Sequence, residues 1–312
     1  MADKASRGLV IYGDGLMPLI SPSHTHLHQL ASRGTCGFLS LPHSPPSESD
    51  DERVVRELAQ LLDAYDSYNI RAAKQSSTSE SLVQTISERF MGLRAAIFTN
   101  DSSVRSFASL LGLTVLQFDE LIMNNNSPRE PAVSGLLKLL GFQGCMALDT
   151  CEFDLVFVHI KSGGRCSDLK VDIAGGEVEF INGLIGGILE VAQLGSEIST
   201  RLHISLVISY GTLAEDKDSV LNLSLQEKAN PDLSLLFPRQ SYITTGKNSA
   251  DSIRHHCPML ISQWQEAVTR KDTTEIFTFK EFKEHGANLA IPADRFLHEV
   301  AFKLWKAPKY GA

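Results

Sequence analysis

The sequence predicts an α/β protein whose mostly parallel central sheet is covered by helices on both faces, giving three layers. Strand-like and helix-like segments alternate along the whole chain, which is typical of parallel sheets. Four apolar runs are continuous instead of alternating with polar residues, at 9–12, 95–98, 155–160 and 204–208. Such strands are buried on both faces, so we expect these four to be the central parallel strands of one sheet.

Apolar residues at helical spacing fill the first intervals between the strands. They indicate a helix at 27–31, and a turn then leads into a further strand at 38–41. Asp50 or Asp51 is a candidate N-cap for the next helix, whose apolar residues recur over 54–62.

Four further helices are predicted in the rest of the chain: at 104–111, directly after a loop at 124–128, at 177–198, and at 294–305. The first of these leads into a strand at 113–118. The helix at 177–198 contains three glycines, which we interpret as points of close packing. The polar, serine-rich stretch 72–81 is predicted to be a loop, and no element is predicted for 216–249.

Composition excludes several classes of function. The chain has 312 residues, a net charge of −8 and no block of Lys or Arg, so we expect no nucleic-acid binding. No apolar stretch has the roughly 20 residues needed to cross a bilayer. Five cysteines at irregular spacing indicate reduced thiols, and the N-terminus leaves no room for a leader before the first strand, so we expect a cytoplasmic protein. No sequence feature identifies a protein partner.

The first strand ends in Asp14-Gly15, which places a carboxylate at the edge of the sheet where ligands bind. Residues 9–15 and the following residues 30–37 resemble the opening of the alkaline-phosphatase superfamily, and in particular that of the archaeal-type cofactor-independent phosphoglycerate mutases. Such an Asp holds a catalytic divalent metal ion in that family, so the resemblance implies that Asp14 is a metal ligand. The alternative is that Asp14-Gly15 is an ordinary strand-to-loop turn.

The resemblance extends over most of the chain in separate pieces. Residues 94–116, 154–161 and 277–312 are similar to family segments and follow in the family's order. This implies a single alkaline-phosphatase-like domain over residues 1–312. Residues 42–80 are too few for the lid domain that the family inserts there, and we interpret them as a shortened remnant of that insertion.

The resemblance implies a nucleophile a few residues before the first helix. Counting back places it at His24, and a shift of one residue would place it at Thr25. His24, His26 and His28 also alternate in a way that suggests a metal site. Because residues two apart do not share a helix face, we do not expect them to bind one ion together.

The remaining metal ligands of the family have no clear counterparts. After the strand at 155–160 the family has an Asp and, four residues later, a His. This chain reads Lys161-Ser162-Gly163-Gly164-Arg165-Cys166-Ser167-Asp168, with neither ligand in place. After the strand at 204–208 it reads Ser209-Tyr210-Gly211 in place of an adjacent Asp and His. His255 and His256 lie too close to Pro258 to match the last family His. A two-metal site needs several such ligands, so the sequence does not supply one.

The sequence therefore predicts a degenerate phosphoglycerate-mutase-like protein, a pseudoenzyme or scaffold without a cofactor. It would bind a small phosphorylated or anionic ligand through Lys161, Gly163, Arg165 and Tyr210, although Gly163-Gly164 could equally be a tight turn. Arg165 could instead form an internal ion pair with Asp14. The alternative function is a true enzyme, a phosphomutase or phosphatase that uses Mn, Mg or Zn on phosphomonoesters.

Overall fold

The computed structural model describes residues 5–43, 48–74, 83–118, 129–144, 146–163, 176–211, 244–245, 248–249, 257–287 and 290–308. Eight strands form its central sheet: β1 (Arg7–Asp14), β2 (Thr35–Ser40), β3 (Ala95–Phe98), β4 (Thr114–Leu116), β7 (Leu155–Lys161), β8 (Leu202–Ile208), β11 (Met259–Trp264) and β12 (Ala290–Pro292). Their order across the sheet is β12-β2-β11-β8-β1-β7-β3-β4. Two short hairpins lie outside it: β5 (Phe142–Gln143) with β6 (Met146–Ala147), and β9 (Thr244–Thr245) with β10 (Asn248–Ser249).

The four predicted central strands are confirmed as parallel neighbours. Leu9 of β1 pairs with Val156 of β7 on one side and with Ile204 of β8 on the other, and β3 continues the parallel pairing beyond β7. Their apolar continuity follows from burial on both faces.

Helices cover both faces of the sheet, which confirms the α/β class and the layered arrangement. Leu9 and Ile11 point to a layer formed mainly by α1 (Thr25–Arg33), α6 (Arg129–Leu139) and α7 (Gly176–Val191). Val10 and Tyr12 point to the opposite layer, which contains α2 (Asp50–Leu61), α4 (Ile86–Arg89), α5 (Ser102–Leu110) and α10 (Phe296–Lys303). The other described helices are α3 (Tyr65–Lys74), α8 (Glu197–Arg201) and α9 (Phe279–His285). None of the helices in the described ranges is long and apolar enough to cross a bilayer.

The fold differs from the predicted elements in several places. Strands β11 and β12 were not predicted, and β11 is antiparallel to both of its neighbours, β2 and β8. The helix expected at 177–198 ends at Val191, and a turn containing Gly195, at φ +82°, separates it from α8. Residues 72–74, expected in a loop, belong to α3.

Helix α2 sets up the candidate site because its first turns lie at the carboxyl ends of β1 and β7. Its start is fixed by Ser49, whose hydroxyl accepts from the Glu52 N–H while the Glu52 carboxylate accepts from the Ser49 N–H. The helix then buries charged residues, including Arg53 and Glu57, among its apolar ones. Residues 42–80 therefore contain a helix that faces the strand ends.

Candidate functional site

A buried ion pair lies at the carboxyl end of β1. The Arg53 guanidinium donates from Nη1 to Asp14 Oδ1 at 2.7 Å and from Nη2 to Asp14 Oδ2 at 2.9 Å. The side chains of Arg53 and Asp14 are 6% and 0% exposed, so both charges are removed from bulk water. A bidentate contact of this kind is strong and fixes the orientation of both groups.

Further oxygen atoms complete the surroundings of this pair. Arg53 Nη1 also donates to Glu57 Oε2 at 3.1 Å, and Nη2 donates to Asp50 Oδ1 at 2.9 Å. Ser209, at the end of β8, donates from Oγ to Asp14 Oδ1 at 3.0 Å. The Tyr12 hydroxyl lies 3.1 Å from Glu57 Oε2 and 3.5 Å from Asp14 Oδ1. We call these six residues the Arg53 network.

The charges in this network shift the pKa values of its members. Burial, followed by the carboxylates of Asp14 and Glu57, raises the pKa of Tyr12 well above its usual value, so its hydroxyl stays a donor. Burial by itself lowers the pKa of Arg53, but the Asp14 hydrogen bonds and the nearby negative charges outweigh it and raise that pKa. The guanidinium therefore remains a permanent cation.

Lys161, at the end of β7, belongs to a second set of ion pairs. Its Nζ lies 2.7 Å from Asp50 Oδ2, 3.3 Å from Asp51 Oδ1 and 3.4 Å from Asp101 Oδ2. Burial lowers its pKa, but the contacts with Asp50 outweigh this and the pKa is raised overall. Lys161 thus ties α2 and the N-cap of α5 to the sheet.

The loops after β1 and β8 are in direct contact. A Cβ atom added to Gly211 would lie 2.7 Å from Gly15 Cα, and both glycines have positive φ. Ser209 holds the same junction, because its Oγ accepts from the Gly15 N–H at 3.0 Å. These two strand ends are therefore close-packed where the family places metal ligands.

His159 lies on the same face of the sheet as Tyr12, with the ring centroids 5.4 Å apart. Its Nδ1 is 2.9 Å from the Thr99 hydroxyl, and its buried Nε2 has no hydrogen-bond partner among the described residues. Burial lowers its pKa, so the ring is neutral at pH 7.

The two candidate nucleophiles lie at the start of α1. His24 is buried; its Nδ1 accepts from the Ser21 N–H at 2.9 Å, and its Nε2 is 3.6 Å from Glu179 Oε2. Thr25 is exposed and begins the helix. Among the described contacts, the Asp14 carboxylate is hydrogen-bonded to Arg53, Ser209 and Tyr12, and not to His24 or Thr25.

His24 and His28 both contact Ser21, whereas His26 does not share this neighbour. The His26 ring packs over Gly186, whereas His28 Nε2 lies 3.1 Å from the Ser21 carbonyl and its Nδ1 accepts from the Phe277 N–H.

The predicted ligand-binding residues do not form one described cluster. Gly163 has φ +68° with open space where a Cβ would be placed, and Tyr210 packs against the core on the α1 side. Arg165, His255 and His256 lie outside the described residues. Among the described residues, the ion-pair partner of Asp14 is Arg53.

The family's divalent metal does not fit the residues at these strand ends. Both Asp14 oxygens are bound by a guanidinium, and the neighbouring strand ends contribute a serine hydroxyl and glycines. Within the described ranges, no group of three His, Cys, Asp or Glu residues is placed to hold a metal ion. We therefore derive no metal-dependent step.

Arg53, Glu57, Ser209 and Tyr12 were missed in the sequence. The available signal was the spacing of α2, in which Arg53 and Glu57 are one turn apart and interleaved with Val54, Val55 and Leu58. Charged residues on the buried side of a helix require partners, but the sequence does not name them.

Comparison with solved structures gives similarity along the whole chain. The PH0037 protein from Pyrococcus horikoshii matches with 15% identity over 100% of both chains and a TM-score of 0.53. Weaker similarity extends to the cofactor-independent phosphoglycerate mutase from Thermoplasma acidophilum DSM 1728, with 10% identity over 96% of this chain and 99% of that chain and a TM-score of 0.48. The alkaline phosphatase from the Antarctic bacterium TAB5 matches with 9% identity over 99% of this chain and 100% of that chain, at a TM-score of 0.40.

No protein-family model matches the sequence, and no curated protein matches it significantly. At such low identities, structural similarity concerns the fold and not the activity. The predicted fold class is confirmed at that level: the chain has a mixed α/β fold with a mostly parallel eight-stranded sheet, similar to the fold of the PH0037 protein.

Proposed function

We propose that this protein is a noncatalytic, phosphoglycerate-mutase-like scaffold. One observation carries the proposal: Asp14 is the one carboxylate that the described ends of β1, β7 and β8 present, and Arg53 binds both of its oxygens. Phosphoryl transfer in this fold depends on bound cations that activate a nucleophile and neutralise the phosphoryl group. Here the carboxylate that would hold a cation is already paired within the protein.

The charges around the strand ends also disfavour a phosphomonoester. Arg53 and Lys161 are both paired with carboxylates, and these carboxylates outnumber them: Asp14, Asp50, Asp51, Glu57 and Asp101. An approaching phosphate dianion would meet net negative charge in a site of low dielectric constant. Arg165, the other cationic residue predicted to bind a small phosphorylated or anionic ligand, lies outside the described residues.

The competing function is a metal-dependent phosphomutase or phosphatase. It draws on the fold and on Asp14 at the end of the first strand. It would require Arg53 to leave Asp14 and ligands to come from parts of the chain outside the described residues.

The deciding experiment measures metal content and turnover on the purified full-length chain. We expect no stoichiometric Mn, Mg or Zn, and no hydrolysis of p-nitrophenyl phosphate or isomerisation of 3-phosphoglycerate when these metals are added. Asp14→Asn is the matched variant, because it removes the expected metal ligand and changes little else in size. Turnover that requires metal and disappears in Asp14→Asn would establish the competing function.

A further inference from the structure

We infer that a groove between α1 and α6, with α7 as its floor, binds an amphipathic helix of a partner protein that carries carboxylates beside its apolar face. The groove belongs to the helical layer that packs on Leu9 and Ile11, whereas α2 and its Arg53 belong to the opposite layer. It is therefore separate from the strand-end site, and it gives the proposed scaffold a surface through which to act.

The walls of the groove are the faces of two helices that both pack against α7. On α1 the wall consists of His26, Gln29 and Arg33, and on α6 it includes Val133 and Leu137, all at helical spacing. The α1 wall rises by about 10 Å from its first to its last residue, which is two helical turns. A groove of this form suits a helix that inserts residues spaced one turn apart.

The floor of the groove is low because α7 has glycines there. A Cβ atom on Gly186 would lie 2.6 Å from the His26 ring, and one on Gly187 would lie 2.8 Å from the Val133 side chain, so larger residues would not fit between the walls. The groove has a volume of about 1220 Å³. Pockets for small molecules usually measure roughly 300–1,000 Å³, so the size favours a segment of polypeptide.

Apolar side chains are exposed beside the groove. Leu148 lines it and is 42% exposed, and Phe142 and Val191 also line it. Met146, in the β5–β6 hairpin that precedes Leu148, is 66% exposed, and Leu194, three residues after Val191, is 80% exposed. Exposed apolar residues grouped in this way are typical of a surface that binds another protein.

The charges of the groove favour an acidic partner. Arg33 and Lys138 line it, and neither side chain has an ion pair or a hydrogen bond within the part of the chain that the structure describes. Glu190 is the only acidic residue among the described lining residues. The groove is therefore locally positive on a chain whose net charge is −8. This excess attracts the carboxylates of a partner, whereas the overall charge disfavours a second copy of the chain.

The test is fluorescence anisotropy of a labelled synthetic helix titrated with the full-length protein. The probe is an amphipathic peptide of about 20 residues, long enough to be helical, with leucines on one face and glutamates beside them. Its counterpart has lysine at every glutamate position. We expect the acidic helix to bind about tenfold more tightly than the basic one at low salt, and the difference to shrink as salt screens the charges. Equal binding of both helices, or binding of neither, would overturn the inference.

Two pairs of variants locate the binding. Lys138→Glu should weaken binding of the acidic helix about tenfold, whereas Lys280→Glu makes the same charge change on an exposed lysine of α9 outside the groove and should leave binding unchanged. Leu148→Ala should weaken binding about threefold or more, whereas Met91→Ala removes a side chain that is 67% exposed in the opposite helical layer and should have no effect. Equal effects within either pair would place the binding outside the groove.

Other occupants of the groove give different results. If a second copy of the chain fills it, the unaltered protein sediments as a dimer that Lys138→Glu dissociates. If the groove lies against a membrane, vesicles containing phosphatidylserine retain the unaltered protein and release Lys138→Glu. Either result would overturn the partner helix. All four substituted side chains are exposed, so the variants should fold, and their melting temperatures verify this. None of these measurements depends on turnover or metal content, so their failure leaves the proposed function untouched.

Discussion

Arg53 and Asp14 show at the scale of single residues how a buried pair depends on both partners. Removing one charge leaves the other buried, which typically costs 3–5 kcal/mol, whereas removing both costs far less. Glu57 also accepts a hydrogen bond from Arg53. The loss of Arg53 therefore leaves the carboxylates of Asp14 and Glu57 uncompensated, whereas the loss of Asp14 leaves the guanidinium bound to Glu57.

A double-mutant cycle tests this pair. We expect Arg53→Met to reduce the free energy of unfolding by about 4 kcal/mol and Asp14→Asn by about 2 kcal/mol. The double variant should lose less than the sum, with a coupling of about 1–3 kcal/mol, within the range seen for residues in contact. Urea unfolding at pH 7 measures all four states. Strict additivity would show that the two side chains do not stabilise each other.

The sequence predicted one member of this pair and not the other. Asp14 could be placed because it ends an apolar strand, and strand ends of a parallel sheet share one edge. Arg53 is 39 residues away on a separate helix, and no local pattern indicates which buried carboxylate its guanidinium reaches. An ion pair with Arg165 was one of two alternatives left open, because Arg165 follows a strand that was already recognised.

At the scale of elements, the junction between the loops after β1 and β8 depends on two glycines. Gly211 has φ +74°, and a Cβ atom there would lie 2.7 Å from Gly15 Cα, which belongs to the backbone and cannot rotate away. Any side chain at Gly211 therefore meets both backbone strain and a steric clash.

Gly163 provides a matched control for this junction. It has φ +68° but open space where a Cβ would be placed, so Gly163→Ala should cost only the strain of the left-handed conformation, about 1 kcal/mol. Gly211→Ala should cost about 3 kcal/mol, because the clash is added. Equal losses in chemical denaturation would show that the loop after β8 moves aside freely.

The strands that were predicted correctly are those whose burial on both faces gives a continuous run of apolar residues. The four central strands were recognised from apolar continuity, whereas β11 was missed because Ser262 and Gln263 interrupt its apolar residues. Both side chains are nevertheless buried, and Gln263 donates to Ser205 Oγ on the neighbouring strand at 3.1 Å. Cross-strand hydrogen bonds satisfy these polar groups, and they depend on a pairing that local pattern does not reveal.

Across the whole molecule, the fold and the chemistry of the strand ends are determined by different residues. The sheet order follows from long apolar segments that tolerate many substitutions, so the resemblance of fold persists at 15% identity. The site depends on a few charged side chains. Helix α2 supplies Arg53, and this one residue changes what the strand ends can bind. Fold could therefore be predicted from the sequence more fully than function.

The stability of the whole molecule should fall as the solution becomes mildly acidic, because two histidines are buried in a neutral form. Burial lowers the pKa of His159 below its ordinary value of 6.5, and lowers that of His203 well below it. His203 contacts Ser205 through Nε2 at 3.1 Å, whereas its buried Nδ1 has no partner among the described residues. Neither site accommodates an imidazolium without cost.

The sign of the effect follows from proton binding in the two states. Below about pH 6.5 the unfolded chain binds protons at both histidines while the folded protein does not, so the free energy of unfolding decreases as pH falls towards the folded-state pKa values. Each histidine contributes at most about 1.4 kcal/mol per pH unit in that window. Buried carboxyls such as Glu299, whose pKa is raised from 4.5 by burial, act in the opposite direction above that value.

The measurement is urea unfolding of the full chain between about pH 5 and pH 7.5, where these histidines dominate the slope. His203→Gln should flatten the curve by up to about 1.4 kcal/mol per pH unit, since glutamine does not titrate, while lowering stability at pH 7.5. His159→Gln should remove a further part. The double variant should retain only the contribution of His28 and His43, whose pKa values burial also lowers. If the free energy of unfolding of the double variant still falls with pH at the original slope, other groups cause the acid sensitivity. If each substitution removes part of that slope, the two histidine rings cause it.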